Sequence, residues 1–373
     1  MGSGGSRSDD YPYSFITKFH WRWNSRDMGF RRERIRRMKR LDDCLTQVVK
    51  KFVPRYICGA VWGVFYADEC WYGACGTTSR DSQLPMNRKT WFDLASLTKV
   101  IGTLPVILMA TKRKLLSLDD TLSKFIPHLS GEIGSVTPRQ LLSHTAGLPA
   151  DFGPIEREDF LDANQLWDRI SHLSPVRSSS PIAIYSDVGY FLLGILIETI
   201  AKDSFGHIVQ HEISEPLGIP LLEHVDPFQE SVAATRYCPV RQRIVRGEPQ
   251  NLVSWIWKRA CGHAGLFGTV DSVLNYGRWW LTRLNDPLFA ETIHPVVPGR
   301  GLGWMLAGCD QLPLVEWPVD TFGHTGFTGT SLIIMPKKRI VGVLLTNRTH
   351  PFPNNPWIRQ LRIAFYQTLL DYP

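Results

Sequence analysis

The chain has 373 residues, 43% of them apolar, with 13 Trp and 18 Phe, enough to bury a large core and to exclude a disordered or low-complexity protein. No apolar run approaches the roughly 18 residues of a membrane span, and the opening residues lack a charged-then-apolar leader, so a cytoplasmic address is the default expectation. The net charge of +7 is carried by residues 1–40, where eleven Lys/Arg face four Asp/Glu, and the neutral remainder argues against nucleic acid as a partner.

Residues 1–28 read as a polar, poorly ordered extension, and 29–373 as one domain. The basic run Arg31, Arg32, Arg34, Arg36, Arg37, Lys39 and Arg40 could touch an anionic surface. Within it Ile35, Met38, Leu41, Leu45, Val48, Val49 and Phe52 recur at three- and four-residue steps, which describes an amphipathic helix ending before Pro54. Two strands follow, 57–67 and 70–76, joined by a turn at Asp68-Glu69. An extended piece, Trp91–Ala95, leads into an apolar helix that Pro105 should kink or divide. From about 110 to 285 the pattern is mainly helical, with helices at 137–142, 190–200 and 203–213. Strands return at 303–307, 330–335 and 339–346, with a hairpin turn at Pro336-Lys337-Lys338. A last helix, 356–370, aligns Ile358, Leu361, Phe365 and Leu369 on one face.

Strands at both ends and helices between them predict an α/β (α+β) fold. One antiparallel sheet would combine the N- and C-terminal parts (29–100 and 290–373), flanked by helices, with a mainly helical lobe inserted at about 101–289. The odd count of seven cysteines suggests reduced thiols rather than a disulfide framework.

Three short segments carry chemistry. Ser96 and Lys99 lie one helical turn apart on one face, so the amine can reach the hydroxyl. A serine needs its proton removed before it attacks, and a lysine of lowered pKa can help remove it. At a helix start the Ser96 N–H is free to face an oxyanion. Tyr185 could serve as a base if a cation such as Lys99 stood near it, and Asp187 could accept a hydrogen bond from Lys99 or a substrate amide. The alternative is that Tyr185 packs its ring and Asp187 caps the next helix. In the glycine-rich stretch 322–329, His324 could bond Tyr185 or a substrate carboxylate, and the Phe327 N–H could be a second oxyanion donor.

Ser96-Leu97-Thr98-Lys99, Tyr185-Ser186-Asp187 and His324-Thr325-Gly326 stand in the order and spacing of one enzyme group. With Leu141–Leu148, Gly262–Thr269 and Leu345–Pro351, they make residues 40–370 resemble the penicillin-recognising serine hydrolases: class C β-lactamases, DD-peptidases and related esterases. The resemblance implies the β-lactamase/DD-peptidase-like fold. It implies Ser96 as the acylated nucleophile and Lys99 as proton acceptor or as the cation beside Tyr185, with Tyr185 as general base and acid. Asp187, His324, Thr325, Gly326 and Phe327 would bind substrate, and the Ser96 and Phe327 N–H groups would form the oxyanion hole.

Two departures shape the expectation. His324 replaces the third-motif lysine, so its charge should be largely lost above about pH 6.5, and activity on anionic substrates should fall between about pH 6 and 8. Asp187 stands where amide-recognising members usually carry asparagine, and a carboxylate cannot donate to a substrate carbonyl. Both favour an esterase or D-amino-acid peptidase over a β-lactamase. The alternative is a catalytically silent module that binds muropeptide or another acyl ligand. The expected partner is a small-molecule or peptide acyl substrate, with no cofactor and no metal. His207 and His211 are four apart but lack a third ligand and read as helix-surface residues, and His144 and His263 as structural hydrogen-bonders.

Overall fold

The computed structural model describes residues 40–82, 84–153, 162–176, 182–313 and 316–372. The proposed extension over 1–28 and the basic run up to Lys39 lie outside the described residues. From Leu41 onward the chain forms one compact unit. A helix over 40–50 buries Leu41, Leu45 and Val49 and ends ahead of Pro54, as its spacing requires.

A six-stranded antiparallel sheet joins the two ends of the chain. Gly59–Tyr66 pairs on one side with Glu69–Gly76 and on the other with Ile340–Thr346; beyond these lie Ser331–Met335, Phe322–Thr325 and Met305–Leu306. The first hairpin turns at Ala67-Asp68, one residue earlier than expected, with both residues at positive φ. Register follows burial. Gly63 sits opposite Val343 and faces the helix Val270–Arg283 through Val270 and Leu274, whereas Gly342 faces Tyr366 and Leu369 of the helix Trp357–Asp371. These two interior strands are buried along nearly their whole length, which is why they read as nearly unbroken apolar runs.

The helical segment differs from expectation in two respects. Val270–Arg283 falls within the anticipated helical lobe but packs on the sheet. The mainly helical region also contains a small sheet, in which Phe267–Gly268 pairs with both Phe92–Asp93 and Leu221–Leu222, and a short pair, Tyr237–Cys238 with Arg243–Ile244. Two-residue strands leave no alternation for a pattern to show. The Ser96 helix begins as a π-turn over Lys99–Thr103 and becomes α-helical at Leu104–Lys112, with Pro105 at the second α position. The Leu104 N–H bonds back to Lys99 O, so the wide turn absorbs a proline that could not join an α-helical ladder. All seven cysteines are free.

Candidate active site

Ser96 is raised by a turn that the backbone resists. Ala95 adopts φ 47°, a left-handed conformation that costs a residue with a Cβ about 1–2 kcal/mol. Asp93 holds it there: Oδ1 accepts the Ala95 N–H at 2.8 Å and Oδ2 accepts the Gln250 N–H at 2.7 Å. The next residues close as tight turns, and the Ser96 N–H has no acceptor among the described residues. The same is true of the Phe327 N–H. The loop carrying Phe327 is tied to the Ser96 turn, since Thr328 Oγ1 donates to Asp93 O at 2.7 Å and Thr330 Oγ1 to Leu94 O at 3.0 Å. Two unused donors thus belong to one stitched assembly.

Lys99 is fully buried behind Ser96, and its three N–H bonds are all used. Nζ donates to Ser96 Oγ at 3.1 Å, Asp187 Oδ1 at 2.7 Å and His263 O at 3.0 Å. Burial is the largest influence on its pKa and acts downward, but Asp187 and Tyr185 outweigh it and leave the amine above its ordinary value. Burial acts upward on Asp187, yet the Lys99 charge prevails and keeps the carboxyl below its usual range. The pair is therefore ionic, so of the two roles expected for Lys99 the neutral proton acceptor made by desolvation does not hold, and the cation beside Tyr185 is the one left.

Tyr185 stands over this pair. Lys99 Nζ lies 5.0 Å and Arg300 Cζ 5.3 Å from its ring centre, and the His144 ring packs 4.5 Å away. The segment is fixed by backbone bonds to the preceding loop: Ile184 N donates to His144 O, Ser186 N to His144 Nδ1, and Asp187 N to Ala150 O. Ser186 caps the helix Asp187–Ala201, accepting from the Gly189 N–H. That frees Asp187 from the capping role it was offered as an alternative.

A cavity of about 560 Å³ opens over these groups, lined by Ser96, Tyr185, Asp187, Thr325, Gly326 and Phe327 among others. His324 is not part of its wall. It is completely buried, 6.0 Å ring to ring from Tyr185, with Nδ1 bonded to Thr325 O at 2.9 Å. Burial, reinforced by the charges of Lys99 and Arg300, depresses its pKa to about 3. The anticipated charge switch between pH 6 and 8 is therefore absent, because burial overrides the solution value of imidazole. His263 is likewise buried, with its pKa pushed down to about 4, and bonds Asn251 Oδ1 through Nε2. His207 and His211 lie on the surface beside separate carboxylates, Asp203 and Glu215.

Several wall residues were not foreseen: Asp93, Gln250, Asn251 and the arginines 236, 348 and 362. One carried a signal. Arg362 lies four residues after Ile358 and three before Phe365, inside the apolar stripe of the last helix, where a charge needs a reason.

Comparisons with known proteins agree with this arrangement. The family model described as Beta-lactamase matches residues 45–364. A putative D-alanyl-D-alanine carboxypeptidase of Escherichia coli K12 is 27% identical, with 79% of each chain covered. An N-acetylmuramyl-L-alanine amidase of Bacillus subtilis 168 is 26% identical over 71% of this chain and 69% of its own. The crystal structure of a class C β-lactamase from Rhodobacter sphaeroides superposes with a TM-score of 0.70 at 20% identity, covering 88% of this chain and 99% of that one. EstCE1, a hydrolase with promiscuous acyltransferase activity, also gives 0.70, at 22% identity and 87% and 98% coverage. These structural likenesses establish the fold.

Proposed function

Because the chain belongs to the Beta-lactamase family of serine hydrolases, we propose that it is a serine acyl hydrolase working through an acyl-enzyme on Ser96. Its substrates are esters or D-amino-acid amides and peptides, with β-lactam turnover the less favoured activity. The observation that carries this reading is the commitment of all three Lys99 N–H bonds to Ser96 Oγ, Asp187 and His263 O. An ammonium so bound has no lone pair to offer, so it orients the nucleophile as a fixed cation and leaves proton transfer to Tyr185.

In acylation Tyr185 acts as the phenolate: Ser96 Oγ attacks the substrate carbonyl carbon while its proton passes to Tyr185 Oη. The carbonyl oxygen, now anionic, takes the Ser96 and Phe327 N–H bonds. Collapse breaks the bond to the leaving alcohol or amine, which takes the proton from Tyr185. Water then repeats the sequence on the ester and returns the proton to Ser96. Asp187 is ionic and bonded to Lys99, so it holds the cation rather than donating to a substrate amide. This is the physical argument for ester over amide substrates.

Intact mass after incubation with a fluorophosphonate and, separately, a penicillin tests the reading. A single adduct with the fluorophosphonate, lost in Ser96→Ala, is expected. An additional penicillin adduct would move the assignment toward the peptidases. No adduct with either reagent would leave the silent acyl-ligand module in its place.

A further inference from the structure

Two consecutive side-chain amides in the cavity wall, Gln250 and Asn251, offer hydrogen bonds that nothing among the described residues takes up. Gln250 is 6% exposed, and its Oε1 is sealed from solvent with no donor among those residues. A buried acceptor left in that state is costly, and in a cavity wall it marks a place where a ligand supplies the partner. The Gln250 N–H is fixed on Asp93 Oδ2 at 2.7 Å, and the same carboxyl holds the Ala95 N–H at 2.8 Å. One carboxyl thus ties this pair of amides to the turn that lifts Ser96.

The orientation of Asn251 is fixed. It caps the short helix Leu252–Ile256, and its Oδ1 accepts the Ser254 N–H at 3.1 Å. A backbone N–H can only donate, so the oxygen must lie on that side. His263 Nε2 meets the same oxygen at 3.1 Å and is accordingly the protonated ring nitrogen. Both bonds fall on Oδ1. Nδ2 is left with no acceptor among the described residues and, unlike the Gln250 oxygen, with access to solvent. The cap accounts for one end of this amide and leaves the other end unused. His263 also orients the cation behind Ser96, since its carbonyl accepts Lys99 Nζ at 3.0 Å.

An acceptor and a donor on adjacent residues of one wall are complementary to the N–H and C=O of a secondary amide. Apolar surface borders them: Phe152, Leu252 and Val253 line the same cavity, and the Phe152 ring lies 5.4 Å from that of His263. Asp187, ionic and bonded to Lys99, has no proton to give such a group.

We propose that Gln250 and Asn251 form a subsite for a secondary amide in the acyl portion of the substrate, with Gln250 Oε1 accepting its N–H and Asn251 Nδ2 donating to its carbonyl. The ligand class is an amino-acyl compound whose nitrogen carries an apolar acyl group. The assignment rests on reading this cavity as an acyl-hydrolase site. Whichever bond is cleaved, the neighbouring amide is the handle by which the acyl group is held.

The test uses the nitrophenyl esters of N-acetylglycine, of O-acetylglycolic acid, which keeps the carbonyl and lacks the N–H, and of isocaproic acid, the all-carbon isostere. Asn251→Asp keeps Oδ1 for Ser254 and His263 and loses the donor. Its kcat/KM should fall roughly 5- to 30-fold more for the two carbonyl-bearing esters than for the isocaproic one. Asn251→Ser is uncharged and still caps the helix, and it should show the same difference. Gln250→Met should lower the N-acetylglycine ester relative to the O-acetylglycolic ester by a similar factor. Each comparison is made between substrates on one preparation, so it does not depend on how much of a variant folds. Equal losses on all three esters would overturn the subsite and leave Gln250 and Asn251 as supports of the Ser96 turn. If the fluorophosphonate still labels Ser96 in that case, the hydrolase reading survives; if it never labels, both fall together.

Discussion

A buried amine becomes a base only if nothing nearby prefers it charged. Desolvation alone would make Lys99 a proton acceptor, but Asp187 at 2.7 Å reverses the balance. Sequence reasoning could find the pair because Ser96 and Lys99 are three residues apart. It could not weigh Lys99 against a carboxylate 88 positions away. His324 shows the same gap: its place in the triplet was legible, its burial was not, and burial decides its charge. A prediction follows for Asp187→Asn. Without the carboxylate, desolvation dominates and the Lys99 pKa falls. The alkaline limb of kcat/KM should move to lower pH, because the cation is lost earlier. An alkaline limb identical to wild type would remove Asp187 as the support of that charge.

Elements long enough to show a period were legible. The central strands, the helix Asp187–Ala201 and the C-terminal helix lie within a few residues of their expected places. The turn that lifts Ser96 was not, because it depends on Asp93 reaching Ala95 and Gln250 in a conformation no local pattern announces. Asp93 is completely buried, and desolvation, opposed by the two N–H donors and the Arg241 charge, raises its pKa to about 6. The native state therefore holds this proton more tightly than the unfolded chain does. The stabilisation is complete below the unfolded value near 4 and is lost as pH rises through 6, at a cost of roughly 3 kcal/mol. Asp93→Asn cannot ionise. Its melting temperature should accordingly gain on wild type as pH rises from 4 to 7, whatever constant penalty its amide imposes against the Gln250 N–H. Thermal melts across that range measure the difference, and a gap independent of pH would contradict the buried, ionising carboxyl.

At the scale of the molecule, the site depends on two backbones meeting without side chains. The helix that begins at Asp187 crosses the 260–264 loop at Gly194 and Gly262. A Cβ on Gly262 would lie 2.1 Å from Tyr190 O and 2.7 Å from Gly194 N, and a Cβ on Gly194 would lie 2.6 Å from Gly262 N. Only backbone movement could relieve such contacts. The next residue after Gly262 supplies the carbonyl that receives Lys99 Nζ, and the helix supplies Asp187, so two of the cation's three acceptors are set by this crossing. The Gly262–Thr269 block was visible in the sequence as a resemblance, but its role as a spacer between elements was not. Gly262→Ala should cost roughly 1–3 kcal/mol of stability and should also slow acylation in the molecules that remain folded, since a small displacement of Lys99 misaligns the nucleophile. Active-site titration with the fluorophosphonate separates the two effects by counting competent sites before the rate per site is measured. Loss of sites with a normal rate per site would show that the crossing supports the fold alone, and a variant with wild-type melting would show that the two backbones have room to spare.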